Sequence, residues 1–156
     1  MGRSRSYGQF CPVARAAEVV TERWTPLVLR ELMCGSRRFN DLRRGLPAMS
    51  PSLLSRRLKT LDESGIVRRS PGDSGQEYEL TEAGRALQPV ILELGHWGLR
   101  WLKQQLTREE LDPALLMWDM RRRVDVEALP GERVVVHFRY HDAPRGMKRW
   151  WLVLDR

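Results

Sequence analysis

Residues 50–80 constrain the fold more than any other stretch of the chain. Ser50 is an N-cap residue type, and Pro51 suits the first helical position, where the N–H it lacks would have no intrahelical partner. Leu54, Leu58 and Leu61 then recur at i, i+4 and i+7, so one face of a helix reaching Ser64 must be buried. Ser52, Ser55, Arg56 and Lys59 fall largely on the opposite face, while Arg57 lies angularly closer to the leucines. Gly65 closes the helix. Two short strands follow, Ile66–Ser70 and Gln76–Leu80, joined by Pro-Gly-Asp-Ser-Gly, a cluster of turn formers. A helix with a leucine back and a serine–arginine front, followed at once by a hairpin, is half of a DNA-binding module.

The flanking segments complete it. Residues 11–22 carry Val13, Ala16, Ala17 and Val20 at helical spacing. Thr25 as N-cap and Pro26 behind it announce a second helix, with Leu27, Val28, Leu29, Leu32 and Met33 apolar and Gly35 as its stop. A short third helix spans 39–45, with Phe39 and Leu42 as a buried i, i+3 pair. Thr81 caps a long helical segment running to about Leu106, and Pro89 inside it predicts a bend near the second turn. Three helices and a hairpin, two of the helices joined by a short turn, make a winged helix-turn-helix. Helix 50–64 is then the recognition helix and the hairpin 66–80 the wing. The fold class is mainly α with a small β component.

Charge supports this. The formal net charge of the 156 residues is +7, and window 37–69 alone carries +6, from nine basic residues against three acidic ones. Such clustering is the footprint of a polyanion partner. On the recognition helix, Ser50 and Ser52 sit at the N-terminus, where free backbone N–H groups suit a phosphate, although Ser50 is equally explained as a plain cap. Arg56 is the best candidate for a guanine edge, with Ser55 and Lys59 beside it. Arg37, Arg38 and Arg43 are candidates for flanking phosphates. Arg68 and Arg69 point to opposite faces of a strand, so at most one reaches DNA, and Ser74 and Gln76 belong to the wing tip.

The run CPVARAAEVVTERWTPLVLRELMCGSRRFNDLRRGLPAMSPSLLSRRLKTLDESGIVRR, followed by YELTEAGRAL, resembles the HxlR family of bacterial winged helix-turn-helix regulators, part of the broader MarR-like group. The resemblance covers about residues 8–105. It implies a homodimer, built from the N-terminal and long C-terminal helices, that binds double-stranded operator DNA near the genes it controls, and the chain is read accordingly as a repressor. It also implies that a cysteine at the position of Cys11 is, in some members, a redox or electrophile switch. Cys11 precedes Pro12 at a helix start, a setting that favours the reactive thiolate; the alternative is a small buried residue. Cys34, at the end of an apolar helix, reads as core. Trp97 and Trp101, one turn apart, suit dimer packing or an aromatic ligand pocket at the dimer interface.

Residues 107–156 exceed what the module 1–106 needs. Asp112-Pro113 caps a further helix, and Arg133–His141 and Lys148–Leu154 alternate as strands, the pair joined through DAPRGM. This extension faintly resembles the opening of a sterol-carrier-protein-like domain, which implies a small apolar effector. The alternative reading of the whole chain is therefore an apolar-ligand-binding module that uses the winged helix mainly to dimerise. No enzyme is expected: His96, His137 and His141 are dispersed, and no phosphate loop, nucleophile elbow or HExxH occurs. Neither a cofactor nor a metal site is expected. The polar N-terminus, the two cysteines and the lack of any membrane-length apolar run point to a soluble cytoplasmic protein.

Overall fold

The structure, a computed structural model, describes residues 6–72, 75–102, 111–125 and 127–155. The chain divides into two compact units, 1–103 and 104–156. The first holds α1 (Pro12–Val20), α2 (Thr25–Met33), α3 (Phe39–Gly45), α4 (Pro51–Glu63), β1 (Val67–Gly72), β2 (Gly75–Leu80), α5 (Glu82–Ala86) and α6 (Gln88–Trp101). The second holds α7 (Pro113–Arg122), β3 (Val134–Arg139) and β4 (Arg149–Leu154). The architecture is mainly α with two small hairpins.

The core of the first unit forms where α2, α3 and α4 meet. Val28, Leu29, Leu42, Leu54, Leu58 and Leu61 are fully buried, and Leu46, Met49 and Val67 close the cluster. The three leucines of α4 thus face inward as their spacing requires. Phe39 is only half-buried beside Leu42, not a fully buried pair. β1 and β2 pair antiparallel from Val67↔Leu80 to Gly72↔Gly75. Residues 37 and 38 run along the other edge of β2: Tyr78 N donates to Arg37 O at 2.8 Å, and Arg38 bridges to Glu77. That extra edge anchors the wing to the start of α3.

The wing root is locked to α5 by Thr81. Its N–H donates to Ile66 O at 3.0 Å, its hydroxyl donates to Gly65 O at 2.7 Å, and the same oxygen accepts from Gly84 N. Gly84 is buried, and a Cβ added there would collide with Ile66 O. A glycine at this place lets the helix backbone lie directly on the wing root.

Further local expectations are corrected. The bend expected at Pro89 is a break. α5 ends at Ala86, Leu87 joins the two helices, and Pro89 lies in the first turn of α6, where its missing N–H leaves no gap. The cap of α2 is Trp24, not Thr25, with a left-handed φ of 78°, and Thr25 is buried as the first helical residue. Cys34 is not core but half-buried at the C-cap of α2. α6 itself ends at Trp101, with Leu102 as its extended C-cap, short of the expected end near Leu106; residues 103–106 lie outside the described set.

In the second unit, Asp112 caps α7, accepting from Ala114 N at 2.8 Å. β3 and β4 pair antiparallel from Val134↔Leu154 to Arg139↔Arg149. Val136, Phe138, Trp150 and Leu152 share one face by this register. Leu152 is buried there, as is Met117 of α7, and the Tyr140 hydroxyl donates to Met117 Sδ at 3.4 Å. The helix covers one face of the hairpin and leaves the other open.

Candidate nucleic-acid interface

Helix α4 divides as an element that enters a groove must. Ser50 caps it, its Oγ accepting from Leu53 N at 3.3 Å. Ser52, Ser55, Arg56 and Lys59 are exposed along its outer face, and Arg56 has no carboxylate partner among the described residues. Lys59 lies 3.7 Å from Glu63, a loose pair one turn on. Arg57 turns away. Its guanidinium is ion-paired with Glu22 of the α1–α2 turn, its side chain is 8% exposed, and it braces α4 against the N-terminal helices. The adjacent arginines therefore differ in surroundings, as their angular positions on the helix required.

The other predicted contacts are more heavily engaged than sequence suggested. Glu79 of β2 holds both Arg37, at 2.6 Å, and Arg68, at 3.0 Å. Arg38 lies 3.5 Å from Glu77, and Arg69 lies 3.3 Å from Asp62. The Gln76 amide turns back into the hairpin and donates to Ser70 O at 2.7 Å. Arg43 is exposed without a carboxylate partner among the described residues. Ser74 lies outside the described residues.

Sequence reasoning missed the carboxylates, Glu22, Asp62, Glu77 and Glu79, that hold these arginines. The Arg68–Glu79 pair was readable, because the two residues are opposite in the hairpin register. The grip on Arg37 was not, since it depends on a strand edge 42 residues away in sequence. Exposed ion pairs of this kind are worth about 1 kcal/mol or less, so a phosphate can take over each arginine at small cost.

The sensor and dimer candidates lie elsewhere. Cys11 is the N-cap of α1 and is exposed within this single chain, not buried in its own core. Helix α6 has no fully buried residue. Leu87 and Ile91 at its foot touch the core, while Val90, Leu94, Trp97 and Trp101 present an open apolar stripe, Trp97 being 54% exposed. Phe10 and Val13 beside α1 are also open. Contiguous exposed apolar residues of this kind mark interaction surfaces. No helix of the described residues is long and apolar enough to cross a membrane.

A model of the HxlR-like helix-turn-helix family matches residues 19–106, more than half of the chain. The chain belongs to that family. It is a DNA-binding helix-turn-helix transcriptional regulator, with winged-helix regulators as its structural neighbours. Among curated relatives it is similar to YvaP of Bacillus subtilis, an uncharacterised HTH-type transcriptional regulator, with 36% identity over 60% of this chain and 91% of that one. Among solved structures it resembles the redox regulator HypR in its oxidised form, with a TM-score of 0.56 and 31% identity over 62% of this chain and all of that one. It also resembles quinone-bound YodB from B. subtilis, with a TM-score of 0.52 and 35% identity over 58% of this chain and all of that one. The family match ends at residue 106, so it lends no support to a sterol-carrier-like tail.

Proposed function

We propose that the chain acts in the cytoplasm as a homodimeric repressor, with α4 in the major groove of operator DNA and the β1–β2 wing beside it. Release comes through chemistry at Cys11 or through a small apolar or electrophilic effector. The observation that carries the reading is α4 itself: its leucines are buried while Ser52, Ser55, Arg56 and Lys59 face outward. The open stripe of α6 and the exposed apolar residues beside α1 are the surface a second copy would cover. Cys11 is accessible at a helix N-terminus, whereas Cys34 is half-buried. The oxidised HypR and quinone-bound YodB structures, of proteins with the same fold, support a thiol as the site of control.

The test is fluorescence-anisotropy binding to the DNA upstream of the protein's own gene, against scrambled duplex, at several salt concentrations. A dimer neutralising ~6–8 phosphates gives a log–log salt slope of about −5 to −7. Equal weak binding to both duplexes refutes operator recognition at that site. Repression is read by in vitro transcription from the bound promoter, which should fall as protein is added. Under diamide or a quinone, the native protein should lose DNA affinity and Cys11→Ser should retain it; equal loss in both removes Cys11 from the switch.

A further inference from the structure

The face of the β3–β4 hairpin turned away from α7 is a ladder of four cross-strand pairs. At one end Arg133 meets Asp155, Nε to Oδ1 at 3.3 Å. Val135 opposite Val153 comes next, then His137 opposite Trp151, then Arg139 opposite Arg149. The His137 and Trp151 rings are stacked, with centroids 4.8 Å apart and planes 10° apart, and Trp151 is 57% exposed. The same face therefore solves its charge problem at one end and leaves it unsolved at the other. Directly opposed like charges destabilise an antiparallel pair. Neither Arg139 nor Arg149 has a carboxylate partner among the described residues, and both are exposed. Between them, residues 140–148 add Arg145 and Lys148 against a single acidic residue, Asp142. Opposed, unpartnered arginines beside an exposed aromatic pair are complementary to a polyanion, and they oppose a second copy of the same face.

We propose that this hairpin face is a second DNA-contacting surface, which takes phosphates of the duplex that the winged helix binds. The cations meet the backbone, and the His137–Trp151 pair lies against the sugars and shields those contacts from water. The proposal rests on the operator-binding reading and extends it to a part of the chain that the family match does not reach.

The experiment uses the full chain and compares Arg139→Ala/Arg149→Ala with Arg133→Ala, a charge loss on the same face at the paired end. Salt slopes are measured by anisotropy on a duplex carrying the operator and long flanks, with circular dichroism to confirm folding and sedimentation to follow assembly. The double variant should bind with a slope shallower by about 2 per chain, each lost phosphate contact being worth about 0.9. Arg133→Ala should leave the slope near that of the native chain. Native binding with a steep slope that the double variant reproduces overturns this inference and leaves the operator reading standing. A slope unchanged while the double variant alters the sedimenting species assigns the face to self-association and also overturns it. Loss of steep binding by the native chain itself overturns both readings.

Discussion

Arg56 and Arg57 allow a sharp test, because adjacent residues of one type are predicted to do opposite things. Arg57 is buried and paired with Glu22, whose own side chain is 52% exposed. Truncation to alanine removes two buried methylenes beyond Cβ, about 1.6 kcal/mol at about 0.8 each. Loss of a half-exposed ion pair adds about 0.5 kcal/mol. Against this, Arg57 Nε is buried without a partner among the described residues, so removing it recovers part of its desolvation cost. Arg57→Ala should therefore destabilise by about 1–2 kcal/mol, and Arg57→Met, which keeps the stem and drops the charge, should recover most of the loss. Arg56 is exposed and has no carboxylate partner among the described residues, so Arg56→Ala should change stability by less than about 0.5 kcal/mol. It should weaken operator binding by about 1–3 kcal/mol, roughly fivefold to 150-fold, and relax one base position. Urea unfolding followed by tryptophan fluorescence reads the first quantity, and anisotropy on operator and single-base variants reads the second. If Arg57→Ala unfolds at the native urea midpoint while Arg56→Ala does not, the facial assignment of α4 is wrong.

Other perturbations probe the frame around that helix. Gly84→Ala drives a Cβ into Ile66 O and the Thr81 contact there, and should lower stability by about 1–3 kcal/mol in urea, despite alanine's better helix propensity. Gly45→Ala places a methyl against the fully buried Glu31 carboxylate and should also destabilise; a midpoint at or above native would show that this carboxylate can move aside. Ser50→Ala removes the acceptor for Leu53 N and should cost about 1 kcal/mol, measurable in the same unfolding experiment. The Ser6 hydroxyl, with the Tyr7 N–H, holds the Glu18 carboxyl below the usual carboxylate range. A lowered folded pKa means that the contact is complete above the ordinary carboxylate value and is lost as pH falls through the folded one. The Tyr7 amide resonance should accordingly shift on acidification below that ordinary value, and an invariant resonance would show that the pin is absent.

Much of this protein is legible in its local chemistry alone. Ser50-Pro51 and Asp112-Pro113 start helices because capping depends on residues one to three apart, and both caps are present. The leucines of α4 and the alternation of β3 and β4 set buried faces, because a side chain's direction follows from the helical or strand period alone. The position of Arg57 followed from the same geometry. Only the tertiary structure could show which carboxylate each arginine meets. Glu79 reaches Arg37 because the segment before α3 runs along the edge of β2, and Glu22 reaches Arg57 because the α1–α2 turn lies over α4. The two helices meeting at Leu87, the left-handed cap at Trp24 and the exposure of Cys11 depend likewise on packing between elements. Periodicity says which residues share a face; only the fold decides whether that face meets a neighbour. The apolar stripe of α6 shows the difference: its spacing puts Val90, Leu94, Trp97 and Trp101 on one face, and within this single chain that face stands open.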